Sequence, residues 1–266
     1  MTVLKMSSNL QRLYTAAIAL NNMAISFIER GLYAPASETL NSAAMLMKDI
    51  STLSLAQAAC SQDDGTRQKI ADMVRRAEGY LGLTGIKPQF SGITLRVVNE
   101  DSAVSAVGAA QNKDLALWET RSIVVIRMEV GSIQDLRFRD PNVDSSYILF
   151  NLGCAQLCRA FSLETKSLSH ALVNNAQRLF LFSLTVLENV IEDMEAGGDG
   201  NDESDLCYIL PAVIFVLRNL TKTASMLGQH ANVELFSSQA DSFEEFFIEQ
   251  TYLALLFAPL SAAAAA

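Results

Sequence analysis

Apolar residues recur every three or four positions over most of the chain, and this spacing predicts amphipathic helices. The first such segment covers residues 11–30 and ends at Gly31, and a second runs from about Tyr33 to Ile50. Two apolar stripes separated by one Gly predict an antiparallel helical hairpin, because Gly accepts the left-handed conformation that ends a helix. We therefore expect Gly31 to have a positive φ.

Further segments show the same helical spacing, over residues 66–81, 145–161, 170–194, 205–227 and 232–249. The pattern changes between residues 82 and 145. Glycines and a proline open this region, and two β-branched runs, Ile93–Val98 and Ser122–Met128, have the character of strands. We interpret residues 82–145 as an insert that holds a short two-stranded β-hairpin within a single helical domain of residues 1–266.

The first helical hairpin carries large and small residues at characteristic offsets: Leu20, Met23, Ala24, Phe27, Gly31, Tyr33, Ala36, Leu40 and Ala43. This pattern resembles the tetratricopeptide (TPR) repeat of 34 residues, in which small residues lie where the two helices cross. Weaker matches begin at Leu149 and at Leu217. The resemblance implies a mostly α fold of antiparallel helical hairpins, of TPR-like or α-solenoid type. The chain as a whole also resembles uncharacterised TPR-like proteins of algae.

One polar residue recurs in the three matches, where Asn22, Asn151 and Asn219 occupy the same repeat position. The resemblance implies that this position faces a concave groove, where a carboxamide can bind a peptide backbone with its donor and its acceptor. The alternative is that Asn is simply common there, exposed or capping a neighbour. Arg218 and Lys222 lie one turn apart beside Asn219 and are candidates to hold a carboxylate or an acidic peptide. The other two matches lack these basic residues, so the resemblance does not extend to the carboxylate clamp of chaperone-binding TPR domains.

The charge of the chain is negative and unevenly distributed. The net charge is −9, which argues against nucleic acid or an anionic membrane as the partner. Acidic residues are concentrated between Glu188 and Asp205, together with three glycines. We interpret residues 195–206 as an acidic mobile loop, either a solvated spacer or a docking strip for a basic partner.

The sequence offers little material for catalysis or for metal binding. It lacks the nucleotide-binding, nucleophile-elbow and zinc-protease motifs, and it contains two histidines and four cysteines. We expect no catalytic residues, no metal and no cofactor. The longest apolar segment is too short to span a bilayer and no clear secretory signal is present, so we expect a cytoplasmic location.

These observations favour a non-enzymatic scaffold for protein–protein interactions that binds a peptide or protein segment in a helical groove. The candidate groove residues are Asn22, Asn151, Asn219, Arg218 and Lys222. The alternative is a regulatory subunit that acts through its acidic loop and its insert, and an enzyme with an unrecognised site is less favoured.

Overall fold

The computed structural model describes residues 8–58, 92–98, 123–129, 140–163, 165–197 and 203–264, with Gln68, Asp72, Arg75, Arg76, Glu78 and Gly79. Within these ranges the chain is mostly helical, as the sequence pattern predicts. The described helices are α1 (Ser8–Glu29), α2 (Tyr33–Ala58), α3 (Pro141–Phe161), α4 (Lys166–Gly197), α5 (Glu203–Met226) and α6 (His230–Ala264). The strands are β1 (Gly92–Val98) and β2 (Ile123–Glu129).

Two of the helical hairpins turn on a glycine in the left-handed conformation. Gly31 has φ +73° and Gly228 has φ +70°, so the expectation for Gly31 is confirmed. At the first turn, the amide of Leu32 donates to the carbonyl of Phe27, and the amide of Gly31 donates to that of Ile28. The turn at Gly228 has the same two bonds, with the same spacing. Both helices therefore end in a Schellman motif, which satisfies carbonyls that would otherwise lack partners.

Several helices extend beyond the bounds expected from the apolar pattern. Helix α3 begins at Pro141 rather than at residue 145, because the Asp140 side chain caps it by accepting from the amide of Asn142 at 2.7 Å. Proline suits the first helical position, where its missing N–H group costs nothing. Helix α4 likewise begins at Lys166 rather than at residue 170.

The helices also enter the segment that the sequence pattern assigned to an acidic loop of residues 195–206. Helix α4 continues to Gly197 and α5 begins at Glu203, so the loop bounds were too wide. Residues 198–202 lie outside the described part of the chain, and the mobility of the loop stays a prediction.

The helices pack in the order of the chain, and the strongest contacts join α1 to α2, α3 to α4, and α5 to α6. Helix α1 also touches α3, and α3 touches α5, which places the odd-numbered helices next to one another. The buried apolar side chains of all six helices and of β2 form one continuous core. Small residues lie within it where helices meet, as Ala24 and Ala36 do, both fully buried.

The strands β1 and β2 pair antiparallel, with Leu95 opposite Ile126 and Ile93 opposite Met128. Strand β2 packs against both α1 and α3. Residues 99–122 between the strands lie outside the described residues, so the β-hairpin insert of residues 82–145 stays a prediction. The helical segment expected at residues 66–81 is described only at six residues, and all six are helical.

Over the described residues, none of the helices combines the length and the apolarity that a bilayer crossing requires.

Candidate binding site on the face of α1 and α3

The edge of strand β2 that faces away from β1 is bound by asparagine side chains. The Oδ1 atom of Asn151 accepts from the amide of Ile126 at 2.8 Å, and its Nδ2 atom donates to the Ile126 carbonyl at 2.7 Å. Asn151 is fully buried on α3. One carboxamide therefore satisfies both polar atoms of one residue in an extended chain.

Asn22 on α1 binds β2 in the same way, two residues further along. Its Oδ1 atom accepts from the amide of Met128 at 3.0 Å, and its Nδ2 atom donates to the Met128 carbonyl. Ile126 and Met128 are two positions apart, so their backbone groups point to the same edge of the strand. The two asparagines thus supply hydrogen-bond partners to backbone N–H and C=O groups that would otherwise be unpaired at this edge of the strand.

A third asparagine, Asn21, links the other two and was not a candidate in the sequence analysis. Its Oδ1 atom accepts from Nδ2 of Asn151 at 2.8 Å, and its Nδ2 atom donates to the Ile126 carbonyl at 3.2 Å. Asn21 is fully buried. The signal for it in the sequence was the pair of asparagines that interrupts the apolar run of α1. We call Asn21, Asn22 and Asn151 the Asn cluster.

The side chains of β2 add apolar and charged contacts to this site. Ile123, Val125, Ile126 and Met128 are buried in the core. Arg127 is partly buried, and its guanidinium group donates to the Ser26 hydroxyl at 3.1 Å and lies 3.6 Å from the Glu29 carboxylate. The hydrogen bonds from the asparagines involve only the backbone of β2, whereas these further contacts depend on its side chains.

A buried pair of polar residues joins α1 to α3 beside the site. The Tyr14 hydroxyl donates to Oδ2 of Asp144, and both residues are buried. Burial raises the pKa of the Asp144 carboxyl well above its ordinary value, because a charged carboxylate loses its hydration there.

Asn219, the third asparagine of the repeat position, lies in a different environment. It is 7% exposed, and its Nδ2 atom donates to the Phe215 carbonyl of its own helix at 2.9 Å. The structure therefore brings Asn22 and Asn151 together on β2 and leaves Asn219 on α5 outside this contact.

Arg218 binds two carboxylates of α6. Its Nε and Nη2 atoms donate to Glu244 at 3.0 and 2.7 Å, and Nη2 also donates to Asp241 at 2.7 Å. These bonds, first of all the one with Glu244, raise the pKa of Arg218. The guanidinium group thus joins α5 to α6, and an acidic peptide would have to compete with these two carboxylates.

Lys222 lies on α5 with its Nζ atom 5.2 Å from the centre of the Phe161 ring, a distance typical of a cation–π contact. The neighbouring thiol of Cys154 is buried, and burial raises its pKa well above the ordinary value, while the charge of Lys222 acts in the opposite direction. Cys158 is also a buried thiol. Lys222 therefore packs against an aromatic ring at the end of α3.

Within the part of the chain that the structure describes, no group of three or more His, Cys, Asp or Glu side chains could hold a metal ion. Comparison of the chain with family models, with curated proteins and with solved structures gives no match.

Proposed function

We propose that this protein is a non-enzymatic interaction scaffold of TPR-like, α-solenoid type that binds an extended peptide or protein segment on its odd-numbered helices. The observation that carries the proposal is the Asn cluster. On this face, two asparagines from different helices bind the backbone of an extended segment at alternate residues, here in strand β2.

The chemistry of the carboxamide supports recognition of a peptide backbone. Each Asn side chain offers one acceptor and two donors, which match the N–H and C=O groups of one residue. Backbone recognition of extended segments is a general mode of peptide binding, in which pockets for alternate side chains supply selectivity. Binding of this kind requires no cofactor and no reacting group.

The spacing of the turns supports a repeated unit. Gly31 follows Asn22 by nine residues, and Gly228 follows Asn219 by nine residues. Both glycines have the same left-handed conformation and the same pair of turn hydrogen bonds. We infer that α1–α2 and α5–α6 are equivalent repeats, with α3–α4 as a divergent one whose turn lacks the glycine.

A selection of displayed random peptides on the immobilised full-length chain tests this function. Peptides that bind are then synthesised, and their affinities for the parent and for Asn22→Ala, Arg218→Ala and Lys222→Ala are measured by fluorescence anisotropy. We expect at least one of the three substitutions to weaken binding by tenfold or more.

The matched control is Ser238→Ala, at an exposed position on α6. A selection without binders, or binders that ignore all three substitutions and also tolerate methylation of their own backbone nitrogens, would reject the groove. Loss of binding on neutralising Asp199 and Asp202 would instead favour the acidic loop as the interaction site.

A further inference from the structure

The Asn cluster binds β2 through contacts that do not depend on the sequence of the strand. All the hydrogen bonds from Asn21, Asn22 and Asn151 to β2 involve backbone atoms of Ile126 and Met128. Any segment with an extended backbone presents the same donors and acceptors at the same spacing. The polar contacts of this site could therefore be made by another extended segment as well as by β2.

We propose that β2 is an internal ligand of this site, and that an extended segment of a partner protein binds by taking its place beside β1. This inference rests on the proposed function, because it names the ligand class and the regulation of the same site. The incoming segment has apolar side chains where β2 has Val125, Ile126 and Met128, and a basic residue where β2 has Arg127.

The apolar contacts explain this selectivity. Val125, Ile126 and Met128 are each no more than 1% exposed, so their departure would open apolar surface to water. A partner segment avoids that cost only if its own apolar side chains fill the same space. A basic residue at the position of Arg127 regains the contacts with Ser26 and Glu29.

The covalent link to the domain makes β2 an effective competitor. A tethered ligand acts at an effective concentration that is set by the length and stiffness of its connection. The apparent affinity for a partner is reduced by the fraction of molecules in which the site is free. Weakening β2 should therefore raise the affinity for a partner segment without any new contact.

The first experiment uses the full-length chain and a fluorescein-labelled synthetic peptide of residues 121–130, RSIVVIRMEV. The Ile126→Ala variant weakens β2 but keeps its backbone, and Val213→Ala is the matched control, since Val213 is fully buried on α5. We expect the peptide to bind Ile126→Ala at least tenfold more tightly than it binds the parent or Val213→Ala. Equal affinities for the three proteins would overturn the proposal.

A modified peptide tests the role of the Asn cluster. Methylation of the backbone nitrogen at Ile126 in the peptide removes the N–H group that donates to Asn151. We expect the methylated peptide to bind at least tenfold more weakly than the unmodified peptide. A scrambled peptide of the same composition should not bind. If the methylated peptide binds as tightly as the unmodified one, the peptide binds elsewhere on the protein and the proposal is overturned.

Hydrogen exchange on the unmodified parent gives a test that does not depend on a folded variant. We expect the amides of Ile126 and Met128 to exchange through a local opening, faster than those of Leu152 and Ala155 in α3. Exchange at the same slow rate as α3 would show that β2 leaves only on global unfolding, and would overturn the inference.

The two proposals fail in different ways. One result is that selected peptides bind the chain through Arg218 or Lys222 while the amides of β2 exchange as slowly as those of α3. That result would support the scaffold function and would reject the proposal that β2 is an internal ligand. If neither selected peptides nor the β2 peptide bind the parent or the Ile126→Ala variant, both proposals fall.

Discussion

Three asparagines that share a repeat position form two kinds of hydrogen bond with the backbone. Asn22 and Asn151 satisfy the backbone of β2, whereas Asn219 bonds to a carbonyl of its own helix. A carboxamide that pairs with buried backbone groups contributes to folding, because an unsatisfied buried group is costly. The repeat position alone does not distinguish these environments.

We predict that Asn151→Ala destabilises the protein by about 2–3 kcal/mol, since it leaves the buried amide of Ile126 without an acceptor. The same substitution at Asn219 should cost about 1 kcal/mol, because it removes one bond to a carbonyl within a helix. Urea unfolding of both variants measures the difference. Equal costs would show that the bonds of Asn151 to β2 contribute no more to stability than the single bond of Asn219.

Gly153 lies where α3 meets α4, and a Cβ atom there would be 2.5 Å from Cε1 of Phe180. We predict that Gly153→Ala destabilises by about 1–3 kcal/mol, the usual cost of overpacking a core. Phe180→Leu removes the ring, so Gly153→Ala should cost much less in that background. A double-mutant cycle from thermal unfolding measures this coupling, and strictly additive effects would contradict the close contact.

The buried Asp144 predicts a pH dependence of stability. Its pKa is raised in the folded state, and the unfolded value is about 3.9. Between these two values the folded state holds a proton that the unfolded chain has released, so stability falls as pH rises, by up to about 1.4 kcal/mol per pH unit.

Asp144→Asn cannot titrate, so its stability relative to the parent should increase as pH rises above about 4. Urea unfolding at a series of pH values measures this difference. Glu38→Gln, at an exposed position on α2, is the control. A constant difference between Asp144→Asn and the parent at all pH values would contradict the predicted titration.

At the scale of the element, the helical hairpins depend on turns that need glycine. A Cβ atom at Gly31 or Gly228 would have open space around it, with no atom within 4 Å beyond the adjoining residues, so packing does not restrict these positions. Their φ angles do, because both lie in the left-handed region. The backbone conformation alone therefore requires glycine at these two positions.

We predict that Gly31→Val and Gly228→Val each destabilise the protein by at least about 1 kcal/mol, because a β-branched residue is strained at positive φ. The turns lie in different hairpins, so the two effects should add in the double variant. Thermal unfolding measures all three proteins. An unchanged melting midpoint for Gly31→Val would remove the support for this turn.

At the scale of the whole molecule, each helix packs mainly against its neighbours in the chain. Because most contacts join neighbouring helices, we expect a substitution to act mainly on the helices it touches. The ion pairs of Arg218 with α6 lie at one end of this series, far along the chain from the Asn cluster.

We predict that Glu244→Gln speeds hydrogen exchange in α5 and α6 and leaves α1 and α2 unchanged, with a loss of stability of about 1 kcal/mol. Asp241→Asn should have an effect within about 0.5 kcal/mol, because the Asp241 side chain is 64% exposed and the Glu244 side chain is 30% exposed. Faster exchange throughout all six helices would indicate a single cooperative unit instead.

Interactions between residues close together in the chain account for the features that the amino-acid pattern predicts correctly. The apolar period of about 3.6 residues predicts the helices, and the need for positive φ predicts the turn at Gly31, since both depend on neighbours in the chain. Bounds were less accurate where a cap decided them, as at Asp140, because a cap has no apolar period. The recurrence of Asn22 and Asn151 also indicated side chains suited to a peptide backbone.

The backbone that these side chains bind depends on how distant parts of the chain pack together. Asn21 and Ile126 are 105 positions apart, and Asn151 reaches the same residue from another helix, 25 positions away. Contacts of this kind arise from the packing of α1 and α3 around one strand, and no local period encodes them. The packing of the helices also leaves Asn219 bonded to a carbonyl of its own helix and brings Arg218 to the carboxylates of α6. In each case the elements that pack against a side chain set its environment.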